Sequence, residues 1–135
     1  MQKNGENTEQ NVTKRLAAFS LEVQSDNIPE EVFHDARRLV LDGIGCALGA
    51  CTLDESSVTG KVISQMGGQP EATVIGSGEK LPLALTSYVN TKLGNFLDAD
   101  DVFYNSGHQS PIVLYPALAA AECQQLSGKE FLTAF

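Results

Sequence analysis

The sequence predicts a mainly α-helical bundle with at most one short β-strand, near residues 72–75. Three observations carry this reading. Apolar residues return at helical spacing in segment after segment. Helix-start chemistry, a proline suited to a first turn or an oxygen-bearing cap, precedes several of those segments. Strong β-branched character appears only in the run EATVIG at 71–76, bounded by turn residues.

Composition sets the limits. With 135 residues and 42% apolar content the chain is long and apolar enough for one domain with a real core. Nine Lys plus Arg against 17 Asp plus Glu give a formal charge of -8, which argues against nucleic acid or an anionic membrane as partner. The longest apolar run, Ile112 to Ala121, is about half of what a bilayer span requires. The opening MQKNGENTEQ carries neither a signal-peptide nor a transit-peptide pattern, so a cytoplasmic protein is expected. Cys46, Cys51 and Cys123 are odd in number, lack CxxC spacing and lie within helical apolar patterns, which predicts buried reduced thiols.

Residues 1–10 have the composition of a disordered terminus, and the domain is expected over 11–135. Val12, Leu16, Phe19 and Val23 form the stripe of a first amphipathic helix. Pro29, followed by Glu30 and Glu31, opens a second. That helix carries Phe33, Ala36, Val40, Ile44, Ala47 and Leu48 on one face. Its glycines at 43, 45 and 49 weaken an isolated helix, so close approach of a neighbouring helix is expected there. Arg38 and Asp42, four apart, suit a surface ion pair, and His34 suits an exposed position. Residues 53–67 suit a third helix ended by Gly67 and Gly68. The 71–76 strand has no obvious partner within the chain, and GSGEK at 76–80 lacks phosphate-loop spacing and reads as a turn.

Pro82 opens a helix whose apolar residues run from Leu83 to Leu97, up to the carboxylates Asp98, Asp100 and Asp101. A short polar loop carries His108, and Pro111 begins an alanine-rich helix with a second proline, Pro116, deeper inside it. Ser127 and Glu130 form a capping box before Phe131 and Phe135. That capped helix stops after about two turns, and the chain is expected to be a truncated or partial one.

Three readings of the aspartate cluster stand side by side: a site for a hard cation, although the EF-hand glycine and distal glutamate are absent; a solvated acidic loop; and an acid-base pair of Asp98 with His108. In the third, Asp98 faces the core from the last helical turn. Asp100 and Asp101 point to solvent or bond loop amides, because three clustered carboxylates cannot all be buried unpaired. A connection of this length between Asp98 and His108 permits reversal, which predicts functional groups within roughly 10 Å of each other.

The LDADD run, the histidine ten residues after its first aspartate, and the PALAAAE helix followed by SGKE resemble the N-terminal part of the 2-methylcitrate dehydratase and cis-aconitate decarboxylase family, MmgE/PrpD. IPEEVFHDARRLVLDGIGCALGA and EATVIGSGEKLPLALTSYVN resemble its upstream segments in the same order, so the likeness covers residues 11–135. It implies the first portion of an all-helical domain, completed in longer relatives by downstream sequence and joined there to an α/β lid. The implied activity is that of a lyase or isomerase on di- or tricarboxylic acids, by proton transfer next to a carboxylate. No metal or organic cofactor is implied, and a homodimer is expected of the full-length protein. By the same resemblance Asp98 and His108 fall on active-site positions, while a second histidine and lysines come from downstream.

Two departures bear on substrate. Val102 stands where a threonine commonly follows the two aspartates, so a substrate-facing hydroxyl is missing. Gln109 replaces the proline of the usual His-Pro-Ser and adds an amide able to bond substrate or the loop. The isolated chain is expected to be inactive. The non-enzymatic alternative is a helical remnant or packing module held by partner subunits.

Overall fold

The computed structural model describes residues 11–135, and the terminus expected to be disordered, residues 1–10, lies outside them. Six α-helices and one two-stranded hairpin form the described chain. Helix α1 spans Val12–Glu22 and is capped by the Asn11 side chain, which accepts from the Lys14 amide. After a single 3-10 turn at Ser25–Asn27, Pro29 leads into α2, Glu30–Ala50, with Glu30 and Glu31 against the positive helix end. The buried Ser56 hydroxyl donates to the carbonyls of Ala50 and Leu53, clamping the turn into α3, Ser57–Ser64. The hairpin strands are β1, Ala72–Thr73, and β2, Lys80–Leu81; α4 spans Leu83–Asn95, α5 Ser110–Cys123 and α6 Gly128–Ala134.

Helix α4 is the centre of the packing, lying most extensively against α5 and next against α2. Ala47, Ala50, Val89, Leu93, Leu114, Tyr115, Ala121 and Phe131 meet in one core with Val74 and Leu81 of the hairpin region. Tyr115 is fully buried and its hydroxyl donates to the Gly43 carbonyl at 2.7 Å, tying α5 to α2. That ring rests on Gly94 so closely that a Cβ there would fall inside it, and a Cβ at Gly43 would strike Leu114. The expectation of close helix approach is met at Gly43, where α5 comes in. Nothing lies near Gly45. The capping box of Ser127 and Glu130 is formed, and Phe131 stacks on Phe135.

Several expectations are corrected. The strand at 71–76 has a partner: Ala72 pairs with Leu81 and Thr73 with Lys80, antiparallel, across the GSGE turn. The pairing is two residues long, and helix side chains complete it. Glu122 of α5 accepts from the Thr73 amide and hydroxyl at 2.8 and 2.6 Å, while Asn90 of α4 accepts from the Ile75 amide and donates to the Thr73 carbonyl. The third helix is Ser57–Ser64, shorter at both ends than 53–67, because turns occupy the flanks. The stripe of α1 is formed but covers nothing, with Val12, Leu16 and Phe19 all exposed. Ile112 and Val113 turn outward while Leu114, Tyr115, Ala119 and Ala121 turn in. A run with no polar residue carries no mark of which face is which. Arg38 lies near Asp35 at 3.6 Å rather than pairing with Asp42. Of the three free thiols Cys46 is buried and Cys51 half-buried, but Cys123, at the last residue of α5, is exposed.

Candidate active site

The site lies between the end of α4 and the start of α5. Helix α4 stops at Asn95, earlier than the aspartate cluster, and the Asp98 amide turns back to donate to the Asn95 carbonyl at 3.2 Å. Asp98 itself sits at φ 52, in the left-handed region, where its side chain is carried away from the helix axis. Beyond it the chain doubles back between Phe103 and Gly107, with the Phe103 amide donating to the Gly107 carbonyl at 2.9 Å. Asn105 and Gly107 supply the positive φ values that this tight reversal needs. The reversal sets His108 back over the aspartates.

The imidazole of His108 stands between two carboxylates. Its Nδ1 lies 2.9 Å from Asp100 Oδ2 and its Nε2 lies 3.3 Å from Asp98 Oδ1. The two carboxylates differ sharply in setting, the Asp98 side chain being 86% exposed and that of Asp100 1%. Asn95 donates its side-chain amide to Asp100 Oδ1 at 3.2 Å. Asp98 and His108 are thus brought together, well within the roughly 10 Å that the loop length predicts.

The orientation of the cluster is the reverse of the one expected. The sequence predicts Asp98 facing the core and Asp100 pointing to solvent or bonding loop amides; Asp98 is outside, and Asp100 is inside against the His108 ring. The reason is local. The helix ends three residues before Asp98, and one buried carboxylate is tolerated because an imidazole and an amide satisfy it. Asp101 is half-buried. Val102 is exposed next to the site, and the Gln109 amide donates to the Ser106 carbonyl, so of the two uses open to it the loop takes it. Sequence reasoning missed Asn95 and the buried role of Asp100. The one signal was the YNSG stretch at 104–107, whose turn residues make the loop fold back on itself.

Electrostatics follow from this burial. The Cys46 thiol is pushed up, first by burial and then by the negative charges of Asp42, Asp100 and Asp101. Burial likewise pushes the Tyr115 phenol up, and that hydroxyl stays the donor to the Gly43 carbonyl. Among the described residues no group of three His, Cys, Asp or Glu side chains is arranged to hold a metal ion. No helix of the described residues is long and apolar enough to cross a membrane. A separate open groove of about 1080 Å³ runs between α1, α2, α5 and α6, lined by Phe19, Val32, Phe33, Leu39, Val113 and Phe135. Of the candidate residues, Gln109 lines this groove, while Asp98, Asp100 and His108 do not.

Comparison with known proteins identifies the family. The MmgE/PrpD N-terminal domain matches residues 14–135. A cis-aconitate decarboxylase-like protein of Aspergillus oryzae, oryM, is 31% identical over 93% of this chain and 28% of its own length. A cis-aconitate decarboxylase of Aspergillus terreus is 27% identical over 91% of this chain and 25% of its own. The chain therefore spans about a quarter of the length of these relatives. No solved structure matches it.

Proposed function

Since the chain belongs to the MmgE/PrpD family through that family's N-terminal domain, we propose that it is the N-terminal part of a cofactor-independent lyase or isomerase acting on a small di- or tricarboxylic acid. Asp98 and His108 are the groups that move the proton next to the substrate carboxylate. The observation that carries this is the seating of His108: one ring nitrogen is held by a buried carboxylate, and the other stands 3.3 Å from an exposed one, at the surface where a substrate arrives. Removing a proton beside a carboxylate needs a positioned base and cations against the developing enolate charge. This chain supplies the first. At a net charge of -8 it leaves the cations to sequence corresponding to the rest of the relatives' length. Val102 and Gln109 bear on which acid is taken, since the first offers no hydroxyl and the second holds the loop.

The test uses a chain of the relatives' full length that carries this segment, with cis-aconitate as substrate. His108→Ala is expected to lower turnover by about 10²–10⁴, and Asp98→Asn to lower it too. Chelators are expected to leave turnover unchanged, and the 135 residues alone to show none. A His108→Ala enzyme that turns over normally would remove the reading.

A further inference from the structure

We propose that Asp100 is the positioning residue that sets the tautomer of His108, holding a proton on Nδ1 and leaving Nε2 bare toward Asp98 and solvent. The tautomer stands on geometry alone; its use in turnover rests on the proton-transfer reading of His108 given above.

A neutral imidazole carries one proton, and two carboxylates compete for it. Asp98 Oδ1 is 3.3 Å from Nε2 and its side chain is 86% exposed, so water screens it. Asp100 Oδ2 is 2.9 Å from Nδ1 on a side chain only 1% exposed, where the same charge acts roughly fourfold more strongly than in water. The shorter, buried, charge-assisted bond wins. Among the described residues no lysine or arginine lies within ion-pair distance of Asp100. Its other neighbour is the Asn95 amide, 3.2 Å from Oδ1 and a longer 3.5 Å from Oδ2, so the imidazole at 2.9 Å is the closest partner of Oδ2. Losing the Nδ1 proton would leave a buried carboxylate facing a bare ring nitrogen, acceptor against acceptor. The nitrogen that gives and takes protons is therefore Nε2, the one beside Asp98. A buried carboxylate behind a histidine orients the ring and selects its tautomer in this way in enzymes of unrelated folds.

The experiment is long-range ¹H–¹⁵N spectroscopy of the ¹⁵N-labelled 135-residue chain under alkaline conditions, in which imidazoles are neutral. His34, exposed on α2, is the internal reference, assigned by its loss in His34→Gln. His108 should show a proton-bearing Nδ1 and a bare Nε2; His34, whose Nδ1 lies 3.6 Å from the exposed Asp35 carboxylate, serves for assignment only. In Asp100→Asn, which keeps the side chain's size, the amide can donate to Nδ1, and the two His108 nitrogen shifts should exchange places. A wild-type His108 with its proton on Nε2 would overturn the proposal, whether or not the variant folds, and so would an Asp100→Asn spectrum unchanged from wild type. In a chain of the relatives' full length, Asp100→Asn should lower kcat by about tenfold to a hundredfold with KM little changed. Unchanged kcat would overturn the positioning role. An Nδ1–H tautomer together with a fully active His108→Ala enzyme would instead keep the tautomer and defeat the catalytic reading.

Discussion

Adding one methyl group at Gly94 should be among the most damaging small changes this chain can suffer, and adding it at Gly45 should help. Gly45 lies inside α2 and Gly94 is next to last in α4, so alanine gains at most about 1 kcal/mol of helix propensity at either. At Gly45 nothing stands within 4 Å of the new atom, and that gain is kept. At Gly94 the atom falls within the Tyr115 ring, which is fully buried and anchored by its hydroxyl to the Gly43 carbonyl at 2.7 Å. Overpacking of a closed site costs about 3 kcal/mol at the upper end of its usual range. Swinging the ring away forfeits a hydrogen bond worth about 1 kcal/mol. Gly94→Ala should therefore lose about 3 kcal/mol net, and at about 4 °C per kcal/mol for a chain of this size its melting temperature should drop by about 12 °C. Gly45→Ala should melt a few degrees higher than wild type. Thermal and urea unfolding followed by far-ultraviolet circular dichroism gives both numbers. Two variants of equal stability would refute the claim that Tyr115 is packed closed against Gly94.

Glu122 gives a pH-dependent outcome. Its carboxyl is held below its ordinary value of 4.5, first by the Thr73 hydroxyl, against the opposing effect of burial, then by the Thr73 amide and Lys80. A lowered folded value means that its contribution is present above 4.5 and is lost as pH falls through that lowered value. Urea midpoints should thus separate wild type from Glu122→Gln most at about pH 7 and least at about pH 3; a gap that widens in acid would contradict this. Among the cysteines, Cys123 should be alkylated in the folded chain, while Cys46, buried and with its thiol pushed up, should react only on unfolding. Mass mapping after a brief iodoacetamide pulse reads the order, and early labelling of Cys46 would contradict its burial.

Much of the helical architecture was legible because its starts are written in chemistry: Asn11, Pro29, Pro82, Pro111 and the Ser127–Glu130 box each sit where a helix begins. Periodicity, however, reports that a face is apolar and says nothing about its cover, so α1 forms as expected and buries none of its residues. The partner of β1 was illegible for a different reason. Lys80–Leu81 is too short to show a strand pattern, and what completes the pairing is side chains of Asn90 and Glu122, on helices. At the site, the loop length was enough to bring Asp98 and His108 together. Which carboxylate goes inside was decided by where α4 ends and by the left-handed turn at Asp98, neither of which leaves a mark on residue type.

Asn90 and Glu122, two of the side chains that complete the hairpin, reach it from 15 and 49 residues away along the chain. A two-residue ladder cannot hold itself together, and contacts that distant in sequence form only after the intervening chain has been ordered at an entropic cost. The full set of hairpin bonds is thus available only once α4 and α5 are docked against each other. Loosening that helix pair, as a methyl group at Gly94 does, unseats the hairpin before either helix melts, and its amides are the first to exchange with solvent.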